Sequence, residues 1–246
     1  ENRDEIFNQY NESLLSKDKF DSDEFFLMYQ PVVNIKDAKI TSFEVLLRWK
    51  HPQKGIMLPV DFLHIFSDKV WFDELTIWII INALRDSEDI FNKGIKLSIN
   101  IPFEQLNDEI FFAKFKDLYK NSDLRFDMLE IEITDAMSVK DIENEILNLV
   151  IYEDLGIKFV FDDFGSSLSL ANTMKTAPTN TYKINKKYAL ELLDRADNVD
   201  MLQTILNICS AFKKRAIIKG VENEYIYNIV ANIGFVELQG NFISKP

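Results

Sequence analysis

Two adjacent acids follow an apolar segment of the sequence, and their chemistry suits a metal-dependent reaction. The stretch KFVFDDFGSS, residues 158–167, is mainly apolar up to Asp162 and Asp163 and then enters a glycine turn. Two neighbouring carboxylates suit a pair of divalent ions about 3.5–4 Å apart, as in sites that hydrolyse phosphodiesters. Oxygen ligands without Cys or His favour Mg²⁺ or Mn²⁺. The simpler alternative is that one of these aspartates caps the helix predicted next.

Other polar side chains recur at or near the ends of apolar segments. They are Glu44, Asn100, Glu132, Lys183 and Glu222. If these segments are parallel strands of a closed barrel, their carboxyl ends meet at one mouth, where the active sites of such barrels form. Carboxylates crowded at that mouth repel one another unless some are protonated or a cation is bound. In such a mouth Lys183 would orient water or stabilise an attacked phosphate, and a surface ion pair is its simpler alternative.

The elements that would position these side chains alternate along the chain. Eight short segments rich in β-branched and aromatic residues predict strands: FFLMYQPVV, ITSFEVLLRW, IKLSINI, MLEIEIT, KFVFDD, TYKI, AIIKGV and FVELQG. The longer segments between most of them, among them 104–119, 138–156 and 187–215, carry apolar residues at helical spacing and predict helices. Gly156 and Gly234 lie where two of these helices should end. This alternation predicts an α/β fold, a TIM-type (β/α)8 barrel. The short turn NIKDAK joins the first two strands, so one strand near the N-terminus is expected to be antiparallel.

The length and composition fit one globular domain. The chain has 246 residues, of which 47% are hydrophobic and 28% charged, and most of its seven glycines fall at predicted element boundaries. We expect residues 21–246 to form the barrel. Residues 1–20 are polar with a weak helical stripe and predict a lead-in helix or the remnant of a linker. Every apolar run is far shorter than the roughly 18 residues that cross a bilayer, so no membrane contact is expected from this segment.

Charge and the rare residue types exclude several kinds of site. The formal net charge of −12 argues against binding polymeric nucleic acid, which needs a basic stripe to displace counterions. An anionic ligand would therefore need local cations. Cys209 lies in an apolar helical pattern, which is typical of a buried thiol. His51 and His64 lack the neighbours of a metal or nucleophile site, so we give them structural roles.

The residues around these acids resemble the EAL domains, a family of bacterial phosphodiesterases that linearise cyclic di-GMP. EVLLRWKHP, which begins at Glu44, resembles the family signature with valine in place of the signature alanine. Further motifs follow in the family's order: YQPVV, SIN, EITD, DDFG, YKI, GVE and QGNFISKP. The resemblance covers nearly the whole chain, and it implies the TIM-type barrel independently of the periodicity.

The resemblance also implies a set of site residues and a reaction. The residues implied as ligands of a pair of Mg²⁺ or Mn²⁺ ions are Glu44, Asn100, Glu132, Asp162, Asp163 and Glu222. Those implied in catalysis, by placing the hydrolytic water or acting beside it, are Lys183, Glu222 and Gln239. Those implied in contact with the nucleotide are Gln30, Glu44, Leu46, Arg48 and Asp163. The reaction would be in-line attack of a metal-bound hydroxide on one phosphodiester, giving linear pGpG.

Several positions depart from the family pattern. The loop after DDFG lacks the family's second glycine at 166–168, and Asp135 replaces a glutamate. Asn185 stands where the family has an aspartate, and Lys219 stands where it has an acid. The last two changes make the site less negative, so divalent metal should bind more weakly, the second ion above all.

Two interpretations of function therefore stay open. In the first, the domain is a slow or conditionally active phosphodiesterase. In the second, it is a degenerate relative that acts as a cyclic di-GMP receptor or as a protein-interaction module. A metal-dependent barrel acting on another phosphate ester is a third, which the ligand-side motifs disfavour. The resemblance further implies a homodimer formed through the barrel, an upstream regulatory domain and a cytoplasmic location, where the nucleotide is found.

Overall fold

The computed structural model of the chain describes residues 22–65, 69–134, 149–165, 174, 179–193 and 197–246. The predicted lead-in segment 1–20 lies outside these residues, and so do Asp135 and the loop 166–168. The boundary proposed near residue 21 therefore stays a prediction. Most of the helix predicted at 138–156 also lies outside, although residues 149–153 are helical.

The eight predicted strands are all present, together with a short one that the pattern did not predict. In chain order the strands are β1 Phe25–Asn34, β2 Lys39–His51, β3 Gly55–Met57, β4 Lys96–Asn100, β5 Leu129–Thr134, β6 Lys158–Phe164, β7 Thr179–Ile184, β8 Arg215–Lys219 and β9 Glu237–Gln239. The unpredicted strand is β3, which pairs with the end of β2 through only three residues. A segment this short carries too little alternation to be recognised in a sequence.

Eight of these strands close into a ring. The neighbours run β1, β9, β8, β7, β6, β5, β4 and β2, and β2 pairs again with β1. Within the ring β1 is antiparallel to both of its neighbours, and the other pairings are parallel. The predicted TIM-type barrel with one antiparallel strand is confirmed. Because the seven remaining strands are parallel, their carboxyl ends meet at one mouth of the barrel.

Helices cover the outside of the ring. In chain order the helices whose bounds the structure gives are α1 Pro59–Phe62, α2 Lys69–Asp86, α3 Glu88–Phe91, α4 Phe103–Leu106, α5 Glu109–Asn121, α6 Lys186–Leu190, α7 Asp197–Ala211 and α8 Glu224–Ile233. The pattern at 104–119 predicted one helix, but Asp108 accepts a hydrogen bond from the Phe111 amide and begins a second one. The pattern at 187–215 likewise divides into α6 and α7. Gly234, with φ 110°, ends α8 as predicted.

The core lies between the ring and these helices. Leu97 and Ile131 of the barrel and Ile77 and Phe111 of the helices are fully buried and belong to one apolar cluster. Close packing of this kind resists deformation, so the strand ends, and the side chains they carry, are held in fixed positions. Among the described helices, none is both long and apolar enough to cross a lipid bilayer.

Candidate functional site at the mouth of the barrel

Glu44 is the centre of a hydrogen-bonded cluster contributed by five strands. Its Oε2 accepts from the Lys183 ammonium at 2.8 Å and from the Gln239 amide at 2.7 Å. Its Oε1 accepts from the Asn100 amide at 2.9 Å. Gln30 lies opposite Glu44 in the β1–β2 register, and its Oε1 is 3.4 Å from the same Gln239 nitrogen. The structure therefore brings together five side chains that the sequence assigned to one site.

Lys183 joins this cluster to a second buried acid. The lysine side chain is 1% exposed and forms an ion pair with Glu132 as well as with Glu44. Glu132 also accepts a hydrogen bond from the Ser98 hydroxyl. Its other oxygen, Oε2, is buried and has no hydrogen-bond partner within the part of the chain that the structure describes. The Lys183 ammonium thus contacts two carboxyl groups, and Glu132 Oε2 remains an acceptor without a donor among the described residues.

The electrostatic environment divides these two acids. Burial raises the pKa of Glu132 to about 8, assisted by the charge of Glu44 and opposed by Lys183. Burial also raises the pKa of Glu44, but Lys183, Gln239 and Asn100 together outweigh it and lower that pKa to about 2. Burial lowers the pKa of Lys183, and the surrounding carboxylates more than reverse this effect. At neutral pH Glu44 is ionised and Lys183 is protonated, whereas Glu132 tends to keep its proton.

The two adjacent aspartates lie in a bulge of β6, not at its end. The strand continues to Phe164, and its register with β7 shifts between Phe161 and Phe164. Asp163 has φ 53°, a left-handed conformation that aspartate tolerates better than most residues. In a regular strand neighbouring side chains point to opposite faces. The bulge instead allows the carboxylates of Asp162 and Asp163 to contact the same group.

That common group is the ammonium of Lys219, the last residue of β8. Lys219 Nζ forms an ion pair with Asp162 and lies 2.8 Å from Asp163 Oδ1. The lysine side chain is 17% exposed, and the side chains of Asp162 and Asp163 are 8% and 42% exposed. Burial lowers the pKa of Lys219, but the two aspartates outweigh that effect and raise it. A protonated lysine therefore lies at the pair of acids that the resemblance assigned to bridging metals.

The remaining predicted residues occupy the rim. Glu222 is exposed, and its carboxylate accepts from the Asn241 amide at 2.7 Å. Arg48 is partly exposed and donates to the carbonyl of the preceding residue at 2.8 Å. Leu46 lies opposite Met28 of β1. Asn185 caps α6, because its side-chain oxygen accepts from the Lys187 amide at 2.9 Å.

An apolar cavity of about 100 Å³ opens beside Asn100. Leu47 of β2, Pro59 of α1 and Phe72 of α2 line it, together with other apolar side chains. Its size and lining suit a planar, largely apolar group better than a charged one. The cavity adjoins the polar cluster, so one ligand could contact both.

The donor types suit a hard divalent ion, but their arrangement does not suit a pair of ions. Across the described residues no three Asp, Glu, His or Cys side chains are grouped so that they could hold one metal ion. Lys183 and Lys219 lie between the acids instead. As arranged, therefore, Lys183 and Lys219 are the partners of the four acids Glu44, Glu132, Asp162 and Asp163.

Sequence reasoning missed two contacts of the mouth. Ser98 precedes Asn100 by two residues, and both reach the cluster because alternate residues of a strand share a face. That period would have found Ser98. The contact of Lys219 with the two aspartates leaves no such signal, since 56 residues separate Lys219 from Asp163.

A closed barrel of eight strands with its ionisable side chains gathered at the carboxyl ends defines the class of TIM-barrel proteins whose function lies at that mouth. The sequence model of one family within this class, the EAL domain, matches residues 14–246. The chain therefore belongs to the EAL domain family, and the resemblance predicted from its motifs is confirmed.

Curated relatives include two proteins named as cyclic di-GMP phosphodiesterases. PA2567 of Pseudomonas aeruginosa is 25% identical over 224 residues, which cover 90% of this chain and 38% of that protein. PdeR of Escherichia coli is 23% identical over 228 residues, which cover 92% of this chain and 34% of that protein. This chain thus spans little more than a third of the length of either relative.

Solved structures support the same fold. The EAL enzyme Bd1971, in its cAMP- and cyclic-di-GMP-bound form, superposes with a TM-score of 0.81 at 28% identity, covering 99% of this chain and 66% of that one. The phosphodiesterase PaMucR in complex with cyclic di-GMP gives a TM-score of 0.83 at 23% identity, covering 91% and 92% of the two chains. The second likeness establishes the fold alone.

Proposed function

We propose that this chain binds cyclic di-GMP at the mouth of the barrel. The observation that carries the proposal is the cluster around Glu44, in which Asn100, Lys183, Gln239 and Gln30 lie within hydrogen-bonding distance of one another or of that carboxylate. Similarity to Bd1971, whose structure holds cyclic di-GMP, supports the same ligand. Family membership supports it independently of the geometry.

Three cations supply the attraction that an anionic nucleotide needs in an acidic protein. Arg48 lies on the rim with a forked guanidinium that suits two phosphate oxygens. Lys183 and Lys219, which are more deeply buried in the mouth, add positive electrostatic potential. In this proposal the apolar cavity beside Asn100 receives a guanine base, and Leu46 lies along the nucleotide.

Hydrolysis to linear pGpG is the activity that the retained side chains support. Every position that the resemblance assigned to a metal ligand still carries an oxygen-bearing side chain, and Lys183 and Gln239 remain beside Glu44 to orient water. Divalent metal, when bound, would supply the nucleophile and neutralise the phosphate. The acids would first have to exchange their lysine partners for that metal.

A receptor that binds the nucleotide without cleaving it is the second candidate. One observation favours it: the Lys219 ammonium contacts both Asp162 and Asp163, the acids expected to bridge two ions. An ammonium balances their charge but cannot activate water as a metal does. The domain would then sense cyclic di-GMP and pass the signal on by other means.

Calorimetry on the wild type and on Arg48→Ala tests the shared part of the proposal, with Ca²⁺ present to prevent turnover. Loss of a charge-assisted contact should weaken binding by about 1.5–3 kcal/mol, roughly tenfold to a hundredfold. Arg125→Ala is the matched control, because Arg125 pairs with Asp127 on the exposed surface. Wild-type protein that does not bind cyclic di-GMP would refute both candidates.

Chromatography of the nucleotide after incubation with Mn²⁺ in place of Ca²⁺ then distinguishes the hydrolase from the receptor. Accumulation of pGpG in the wild type, abolished by Glu44→Ala or Asp162→Ala, would establish the hydrolase. Intact nucleotide after prolonged incubation, in protein that binds it, would establish the receptor.

A further inference from the structure

The side chain of Lys219 lies at the two adjacent aspartates of β6. Its ammonium contacts the carboxylates of both Asp162 and Asp163. β7 lies between β6 and β8 in the ring, so the side chain reaches across the end of β7 to make these contacts. The bulge at Asp163 turns the second acid toward the same ammonium.

This contact differs from an ordinary surface ion pair. An exposed pair is screened by water and contributes little. Here the lysine side chain is 17% exposed and that of Asp162 is 8% exposed. Removing the cation would leave the largely buried Asp162 without its counter-ion, beside the partly exposed carboxylate of Asp163, so the lysine is held there strongly.

An ion that bridged the two aspartates would have to displace the ammonium. Both cations need the same oxygens, and two positive charges at that separation repel each other in a partly buried site. The lysine is also attached to the barrel, so no dilution weakens its competition with a free ion. Divalent metal therefore competes at a disadvantage for these two acids.

We propose that Lys219 is a tethered cation that takes the place of a metal ion at Asp162 and Asp163, so that this half of the mouth is complete without divalent metal. Together with the proposed function, this makes the domain a receptor that binds cyclic di-GMP without metal at this pair of acids. Only that consequence rests on the proposed function. The substitution of metal by lysine stands on the contacts alone.

Titration with Mn²⁺ in the absence of nucleotide tests the substitution directly. Free Mn²⁺ is followed by its electron paramagnetic resonance signal in wild type, Lys219→Met and Lys219→Arg. We expect Lys219→Met to bind Mn²⁺ at least tenfold more tightly than the wild type, because the two acids lose their internal counter-ion. Lys219→Arg retains a cation and should bind as the wild type does.

Lys96→Met is the matched control. It removes the nearer of two cations, at 3.1 Å, from another largely buried acid, Glu130, at the opposite end of the barrel. Its Mn²⁺ affinity should stay within twofold of the wild type. If Lys96→Met and Lys219→Met gained Mn²⁺ affinity equally, the gain would come from the change in overall charge, and the proposal would be overturned.

The wild type alone provides a second test if Lys219→Met does not fold. Tight binding of two Mn²⁺ ions per wild-type chain, at low micromolar concentration, would show that the lysine yields to metal and would overturn the proposal. Weak binding, with no rise in melting temperature on adding Mn²⁺, is the expected result.

Nucleotide binding separates failure of this inference from failure of the proposed function. Wild type should bind cyclic di-GMP with EDTA as well as with Ca²⁺, within about threefold, whereas Lys219→Met should need the divalent ion. Wild-type binding that needs Ca²⁺ would overturn the inference and leave the nucleotide proposal intact. If Mn²⁺ binding is as expected but the protein does not bind cyclic di-GMP, the nucleotide proposal is overturned and the inference about Lys219 stands.

Discussion

The two ends of the barrel treat their buried charges differently. At the amino ends of the parallel strands, Arg215 pairs with Glu237 through two nitrogens and lies 3.9 Å from Glu130. Lys96 supplies the second cation, and the Thr41 hydroxyl completes the network with a 2.7 Å hydrogen bond to Glu237. Among the described residues, this network holds two cations and two acids.

The mouth lacks this balance. Lys183 and Lys219 face the carboxyl groups of Glu44, Glu132, Asp162 and Asp163. Even with Glu132 protonated, three carboxylates face two ammonium groups. Glu132 Oε2 and Gln239 Oε1 are buried acceptors with no hydrogen-bond partner among the described residues. The comparison indicates that the amino end serves stability and that the mouth is built to receive a further group.

The largest effect should come from breaking the balanced end. Arg215→Met leaves Glu237 and Glu130 without their shared cation, and losing one partner of a buried pair should lower the free energy of unfolding by about 3 kcal/mol. Urea denaturation measures it, with Arg125→Met as an exposed control that should leave the free energy of unfolding nearly unchanged. Mn²⁺ should not restore Arg215→Met. If Mn²⁺ restored the stability of Arg215→Met, the amino end would also accept a metal ion, and the contrast between the two ends would be wrong.

Turnover provides the next prediction, now at the mouth. For the hydrolase candidate, Lys219→Glu replaces the internal cation by an acid and should raise formation of pGpG at limiting Mn²⁺ about tenfold over the wild type, equivalent to about 1.4 kcal/mol of barrier. Asn185→Asp should leave turnover unchanged, because that side chain caps α6. If turnover rose in Asn185→Asp and stayed unchanged in Lys219→Glu, the residue that limits metal binding would be Asn185, after β7, and not Lys219 of β8.

The pH dependence of stability should also distinguish the two ends. Folding raises the pKa of Glu132 from 4.5 to about 8, so the folded state binds more protons than the unfolded state between these values. The free energy of unfolding should therefore fall as the pH rises from 5 to 8 in EDTA. Glu44, with its pKa lowered to about 2, is ionised throughout this window and adds little slope there.

Glu132→Gln should remove this slope, and Glu130→Gln at the balanced end should retain it. Denaturation curves across the pH range measure both variants. An undiminished slope in Glu132→Gln would place the titrating group elsewhere.

The smallest effect concerns the cap at the edge of the mouth. Asn185→Ala removes the acceptor of the Lys187 amide and should lower the free energy of unfolding by about 0.5–1 kcal/mol. Asn185→Asp retains an acceptor and should match the wild type. Urea denaturation measures both, and a loss shared by both variants would contradict the capping role.

Much of this architecture could be predicted from local patterns. Eight segments with alternating or apolar β-rich character became the eight strands of the ring, and the polar residues after them reached one mouth. The errors were local too. Asp108 divided a predicted helix by capping a new one, and β3 was too short to carry a period.

The sequence by itself determined the family, the barrel and the gathering of acids at one end, because each depends on motifs or periodic patterns within a few residues. Only the tertiary structure decided how those acids are paired. Lys183 reaches Glu44 across 139 positions of the chain and Lys219 reaches Asp163 across 56. Which lysine neutralises which carboxylate depends on strand order, on the reach of each side chain and on the bulge at Asp163. None of these is encoded within the span of a local pattern, so the charge balance of the mouth emerges only when the ring closes.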